Sequence, residues 1–403
     1  MGPPPPFAVE QWMDAHETTA KYQLAETCCA SLSIDELIAL SEKKDVSSTD
    51  VLHTATAQGY GEIRGSSELR QNLSRLYSSR AGSPLLQDNI LITPGAIAAN
   101  YLALYALIGP GDRVICHYPT YAQLYTVPET LGADVDLWES RPEDKWLPKI
   151  EELESLIKPN TKLIILNNPQ NPTGAVLPKS LLEKITELAR KHSITIFSDE
   201  VYRPLFHGIT PADANFPPSI LSLGYENTIA TGSLSKAYAL AGIRVGWIAS
   251  RSKDIVEKIA LARDYTTISV SQLDQAVAAF ALSPDTIHAL LGRNIQLAKT
   301  NLELLEKWIY KHDEYASFVK PVAGTTAFVK FEIAGKPVDA VAFCEELQKQ
   351  TGVSILPGDL GFGQQYKGYV RIGYANHTEI IKDGLDAMKQ FMKKEYEDLP
   401  VAA

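Results

Sequence analysis

Residues 231–246 read Thr-Gly-Ser-Leu-Ser-Lys-Ala-Tyr-Ala-Leu-Ala-Gly-Ile-Arg-Val-Gly, directly after the apolar run Thr228-Ile-Ala230. Lys236 stands among small and hydroxylated residues, and Arg244 follows eight positions on. A lysine in such surroundings can be desolvated, which lowers its pKa and frees the amine as a nucleophile toward an aldehyde. Small neighbours let a flat cofactor approach the backbone, while Ser233 and Arg244 can hold a dianionic phosphate. The alternative for any single lysine is an ordinary surface loop; the combined serine, lysine and arginine spacing argues against it.

Outward from this stretch, the pattern between residues 90 and 250 alternates short β-branched runs with amphipathic segments. The runs are Ile90–Thr93, Arg113–Cys116, Lys162–Leu166, Ile194–Phe197, Thr228–Ala230 and Arg244–Ala249, and Leu181, Ile185 and Leu188 share one helical face between two of them. Such alternation predicts an α/β fold with a mostly parallel sheet and helices on both sides. Upstream, Pro3–Pro6 reads as an extended lead-in, Phe7–Leu40 as helical, and Ser67–Ser78 as a helix. Downstream, Ser252–Leu282 reads as helical, and a long helix runs from Ser283-Pro-Asp285 to about His312. Strands at Thr325–Ile333 and Tyr369–Tyr374, with helices near Val338–Gln350 and Glu379–Tyr396, predict a smaller α+β unit.

At 403 residues the chain exceeds a single typical core and suggests two domains or one large α/β unit. Its net charge of 38 − 48 = −10, without a basic block, argues against nucleic-acid or acidic-membrane partners. Four scattered cysteines suit neither a disulfide framework nor a zinc site, and the eight histidines form no ligand spacing, so no metal is expected. A reducing, cytosolic setting fits best. Met1–Phe7 has neither the charged and apolar regions of a signal peptide nor a serine or threonine at position 6 for myristoylation. The uncharged span Asn89–Gly111 is long enough for a bilayer, but Thr93-Pro-Gly95 breaks it early.

Several short motifs carry candidate chemistry. Asn168-Pro-Gln-Asn171-Pro-Thr-Gly174 forces a turn at a strand's carboxyl end, where open α/β sheets place ligands, and an amide there can donate to a phenolate oxygen. A purely structural turn is the alternative. Ser198-Asp199-Glu-Val-Tyr202 ends the next strand, where an isolated carboxylate could simply cap a helix. In Thr93-Pro-Gly95-Ala96-Ile97, backbone N–H groups at a helix start form an anion site. Tyr121 in His117-Tyr-Pro-Thr-Tyr121 can stack on a flat ring or merely pack. Arg371, inside the apolar strand Tyr369–Tyr374, needs a partner, either a ligand carboxylate or a structural ion pair. Gly59-Tyr-Gly61-Glu-Ile-Arg-Gly65 imitates a dinucleotide fingerprint but has one residue too many between its last glycines and no preceding strand. Cys28-Cys29 reads as packing, with nothing nearby to mark a reactive thiolate.

Taken together, these motifs resemble the class I/II aminotransferase group of fold-type I enzymes, and the resemblance runs through nearly the whole chain. It implies the PLP-dependent transferase fold: a large domain, residues 51–284, with a mostly parallel seven-stranded sheet, and a small α+β domain built from residues 1–50 with 285–403. It implies pyridoxal 5′-phosphate (PLP) held by a Schiff base to Lys236, with Asp199 on the pyridine nitrogen and Asn171 and Tyr202 on the 3-oxygen. It further implies Tyr121 stacked on the ring, and the amides of Ala96 and Ile97 with Ser233 and Arg244 on the phosphate. Tyr60 would reach the phosphate of the neighbouring subunit's cofactor, in a homodimer with shared active sites. Arg371, with Asn171, would bind the substrate α-carboxylate, and Glu26 in the N-terminal segment would meet a cationic substrate tail unless it is simply solvated or a cap.

The implied activity is transfer of the amino group of an L-α-amino acid to a 2-oxo acid. The alternative is elimination, replacement, cyclisation or oxidation of an amino acid, with an arginine-type substrate as one option. Residues 235–247 with Arg263-Asp-Tyr-Thr-Thr-Ile-Ser269 are similar to capreomycidine synthase, which cyclises a hydroxyarginine. No second arginine for a side-chain carboxylate stands out, because Thr266–Ser269 is polar but uncharged. A non-enzymatic regulatory relative is a poor fit, since the segment before Tyr60 is not basic.

Overall fold

The computed structural model describes residues 4–78 and 83–402; the Met1–Pro3 end of the proline lead-in lies outside them. Seven strands form the main sheet: β1 (Ile90–Thr93), β2 (Arg113–Tyr118), β3 (Asp134–Glu139), β4 (Thr161–Asn167), β5 (Thr195–Asp199), β6 (Thr228–Ser233) and β7 (Gly246–Ser250). Their order across the sheet is β1-β7-β6-β5-β4-β2-β3. Only β7 runs antiparallel to its neighbours; the other pairs are parallel. The central strands are apolar because helices cover both faces, so Leu163–Leu166 and Ile196–Phe197 are buried regardless of which way they point.

The edge strand β3 is the one the hydrophobic runs did not reveal. Asp134-Val-Asp-Leu-Trp-Glu139 pairs on one side only, and its carboxylates, exposed Asp134 and half-buried Asp136, pair with Arg113 on β2. Charge on an edge strand discourages pairing with other chains, and it also hides the strand from a search for apolar segments.

Among the flanking helices, α1 (Ala8–His16) buries Val9 and Trp12, and α2 spans Ser67–Ser78 as the periodicity indicates. The helix α3 (Ala96–Leu107) covers one face of the sheet, and α4 (Lys179–Lys191) buries Leu182, Ile185, Leu188 and Ala189 along one stripe. Each such leucine or isoleucine contributes about 1.5–3 kcal/mol of burial. The long helix α5 (Pro284–Tyr310) follows Ser283 as expected.

Two helical readings are corrected. Residues 7–40 are not one helix: α1 stops at His16, a 3₁₀ turn follows at Glu17–Thr19, and the chain then runs extended until Ile34–Ala39. Residues 252–282 divide into Lys253–Arg263 and Gln272–Ala281, and the intervening segment carries Ile268 at a left-handed φ of 59°. A β-branched residue there cannot continue an α-helix.

A second sheet pairs β8 (Thr326–Ile333) antiparallel with β9 (Tyr369–Gly373), with Phe328 opposite Arg371. The extended segment 24–32 runs as a strap between the two sheets. Gly373 N–H donates to Leu24 O at 2.7 Å, Thr325 Oγ1 donates to Thr27 O at 2.7 Å, and Cys29 N–H donates to Lys236 O at 3.2 Å. A side chain at Gly373 would put its Cβ 1.8 Å from Glu26 O, so only glycine admits the strap here. Among the described residues, no helix is long and apolar enough to cross a membrane.

Candidate active site

The carboxyl ends of β2, β4, β5 and β6 and the start of α3 converge on one cavity of about 330 Å³, closed on its far side by the strap and α1. A crevice at the strand ends is where a sheet of this kind binds ligands. Ala96, Ile97, Tyr121, Asn171, Asp199, Tyr202, Ser233, Lys236, Arg244, Arg371 and Glu26 all line it. Tyr60 does not; it lies outside and is 72% exposed. Residues 117–174 reach the cavity through turns of the motif type read from sequence, whereas Glu26 and Cys28 arrive on the strap.

Asp199 ends β5 with its carboxylate buried. Asn100 Nδ2 donates to Asp199 Oδ2 at 2.9 Å, Val201 N–H donates to Oδ1 at 3.0 Å, and Thr231 Oγ1 donates to Asn100 Oδ1 at 2.6 Å. Burial raises its pKa, while those donors and Lys236 oppose the rise. The carboxylate is therefore fixed in direction and short of solvent, ready to stabilise a cationic N–H facing it.

Lys236 Nζ lies 3.4 Å from Glu26 Oε1 and 3.4 Å from Cys28 Sγ. Burial favours a neutral amine, as the sequence suggested, but the surrounding groups outweigh it and the pKa is raised. Cys28 is not the anion responsible, since burial pushes its thiol up to about 11. The charge is on Glu26, whose carboxyl is held at about 2: burial raises it, and the Lys236 ammonium with the amides of Thr27 and Cys28 more than offsets that. The expectation of a low-pKa lysine is thus corrected for the free side chain, which forms an ion pair.

The phosphate-type donors cluster at the other end. Gly95 is the N-cap of α3 at φ 83° with no side-chain cap, which leaves first-turn amides free to bind an anion. A Cβ on Gly95 would lie 2.6 Å from Arg244 Nη2, so glycine keeps guanidinium and helix start adjacent. Arg244 Nη1 donates to Ser235 Oγ at 3.3 Å and to Ala241 O at 2.9 Å. On the opposite wall Arg371 is buried, with Nη1 3.4 Å from Asn171 Oδ1, Nη2 donating to Ala25 O at 2.8 Å, and Nε without a hydrogen-bond partner. Burial lowers its pKa, which neighbouring Tyr202 and Glu26 oppose.

Comparison with known proteins decides the family. Residues 35–380 match the model described as aminotransferase class I and II. The chain belongs to that family. Within it, the chain is 28% identical over 333 residues to an aspartate aminotransferase of Thermotoga maritima, covering 83% of each chain. It is 30% identical over 302 residues to capreomycidine synthase of Streptomyces vinaceus, covering 75% of this chain and 74% of the other. A PLP-dependent aminotransferase of Streptococcus suis 89-1591 superposes with a TM-score of 0.87 at 38% identity, covering 97% and 98% of the two chains.

This aminotransferase-family member is therefore a PLP-dependent enzyme of the transferase type. The donor set fits the cofactor: an amine on one side, a buried carboxylate, and at one end an uncapped helix start with two serines and an arginine. Several contributors had escaped the sequence reading, Glu17 among them. Ser235 was overlooked beside Lys236. Asn100 was signalled by being the one polar side chain in Ala96-Ile-Ala-Ala-Asn100-Tyr-Leu-Ala. Cys28, read as mere packing, lines the cavity; Glu10 joins from α1, accepting a hydrogen bond from Tyr121 Oη at 2.7 Å.

Proposed function

We propose that the enzyme transfers the amino group of an L-α-amino acid to a 2-oxo acid, with Lys236 as the residue that carries the cofactor. The observation that supports this most is a single cavity holding Lys236, the buried Asp199 and the half-satisfied Arg371 together. When bound, PLP supplies the aldehyde that takes up the amino group and the ring that draws electrons from Cα. Asp199 would hold the ring nitrogen, Asn171 and Tyr202 the 3-oxygen, and Tyr121 one ring face. The amides of Ala96 and Ile97, with Ser233, Ser235 and Arg244, would hold the phosphate. Arg371 fixes the substrate α-carboxylate through its fork. Lys236 Nζ would take the proton from the substrate Cα, and Glu26, 3.4 Å away, would stabilise the ammonium that forms.

We read residues 51–284 as the cofactor-binding domain and 1–50 with 285–403 as the smaller one, which the separate sheets support. We also infer a homodimer in which Tyr60 serves the partner's site. In support, Tyr60 and Tyr265 are 72% and 89% exposed, with Ile63 and Ile268 also exposed. These lie together, since Arg263 Nη1 donates to Ile63 O at 2.6 Å and Gln272 Nε2 to Gly59 O at 2.6 Å. Exposed tyrosine and isoleucine side chains gathered on one part of the surface are an interface signal. Four free cysteines support a reducing, cytoplasmic setting.

A second reading, elimination or cyclisation of the amino acid, is favoured by the likeness to capreomycidine synthase and by Glu26 standing beside Lys236. Such a reaction needs a proton relay more than an amino acceptor. Mass spectrometry of products formed with and without a 2-oxo acid separates the two. Product that requires the oxo acid supports transfer; a dehydrated or cyclised product formed without it supports the second reading.

A further inference from the structure

The cavity is lined by the carboxylates Glu10, Glu17, Glu26 and Asp199 and by the cations Lys236, Arg244 and Arg371. On the functional reading above, on which this inference rests, most of these charges have partners once the enzyme is loaded. Asp199 faces the ring nitrogen, Arg244 the phosphate and Arg371 the substrate α-carboxylate, while Lys236 is engaged with the cofactor. What remains is negative: Glu10 on α1 and Glu17 just beyond it, both exposed, while Glu26 stays paired with the Lys236 nitrogen. No further lysine or arginine lines the cavity among the described residues.

Arg371 supplies the independent anchor. It is 4% exposed, lines the cavity and has no ion-pair partner among the described residues, so it calls for an anion there. Glu10 is close enough to act electrostatically on Arg371, and its carboxylate is oriented by Tyr121 Oη at 2.7 Å. An amino acid whose carboxylate sits on Arg371 shares the cavity with Glu10 and Glu17, which no lysine or arginine lining that cavity pairs with among the described residues. A side-chain carboxylate meets like charge there, and an apolar side chain leaves those charges unneutralised. A distal cation neutralises them.

We propose that the amino substrate is an α-amino acid ending in a guanidinium or alkylammonium group, bound at that end by Glu10 and Glu17. The test uses the PLP-loaded enzyme and three donors: L-arginine, its uncharged near-isostere L-citrulline, and L-glutamate. Binding is read by calorimetry and by the change in the cofactor's visible absorbance, and conversion by product analysis. Arginine binds about tenfold or more tighter than citrulline, and glutamate binds weakest. In Glu10→Gln/Glu17→Gln enzyme the arginine-to-citrulline ratio falls toward one while citrulline affinity holds, and added salt lowers the wild-type ratio. L-Lysine replacing arginine with similar preference over L-norleucine also supports the proposal. Citrulline or glutamate bound as tightly as arginine, or a ratio unmoved by the double substitution, overturns it while leaving the functional reading intact. If no amino acid of any charge perturbs the bound cofactor, the functional reading itself falls, and this proposal with it.

Discussion

Lys236 Nζ and Glu26 Oε1 lie 3.4 Å apart although 210 residues separate them in the chain. The contact exists because the strap carrying Glu26 bonds to both sheets, to Gly373 on one side and to the Lys236 backbone on the other. Glu26 thus sets the charge environment of the amine on which the chemistry depends. In Glu26→Gln enzyme the cationic nitrogen of residue 236 loses its counter-charge. The pH at which the lysine-bound cofactor's visible band titrates should then fall by about one unit. A pH titration of absorbance checks this, and an unchanged or higher midpoint contradicts it.

Asp199→Asn should cost much more in turnover than in cofactor affinity. An amide keeps part of the hydrogen bonding to Asn100 and Val201 but cannot hold a proton on a ring nitrogen. Turnover should drop roughly 10²–10⁴-fold, the scale of losing a buried electrostatic stabiliser, while the cofactor dissociation constant rises far less. Equal losses in both would mean that Asp199 serves mainly to bind.

The thiols give a third expectation. Cys29, Cys116 and Cys344 are buried, and burial holds Cys28 at about 11, so none is a thiolate at neutral pH. Native enzyme should react slowly with a thiol reagent at pH 7.5, at Cys28 first, and bound PLP should slow it further. Rapid labelling unaffected by PLP would show that the strap opens in solution.

The pH dependence of stability follows from His207, which burial holds at about 4 against an ordinary value of 6.5. Below pH 6.5 the unfolded chain takes up this proton and the folded chain does not, so the contribution is full above 6.5 and is lost as pH falls toward 4. The loss amounts to at most roughly 3 kcal/mol. His117, held at about 3, adds in the same direction. Urea midpoints at pH 7.5, 6 and 5 should decline less steeply in His207→Gln protein than in wild type. Parallel slopes would contradict the assignment.

Legibility in the sequence tracked the range of the interactions involved. Asn171, Asp199, Lys236 and Arg244 sit at strand ends or in turns whose local pattern marks them, and the parallel sheet is legible because its core strands are continuously apolar. Glu26 and Cys28 acquire their places through hydrogen bonds from an extended strap to two distant sheets, which no local pattern encodes. The edge strand at Asp134–Glu139 hid behind its charges, whereas the break at Ile268 lies in Thr266-Thr-Ile-Ser-Val270, whose β-branched and hydroxylated residues are poor helix formers. Tyr60 was placed by resemblance alone; in the single chain it faces outward.

The central claim is that the cofactor is bonded to Lys236. Borohydride reduction of the PLP-loaded enzyme, followed by proteolysis and peptide mass spectrometry, tests it most directly. The account predicts one pyridoxyl-phosphate adduct, on Lys236, absent from Lys236→Ala protein, which retains its fold but loses activity by about a thousandfold or more. An adduct on another lysine, or none in enzyme that is active with PLP, would contradict it.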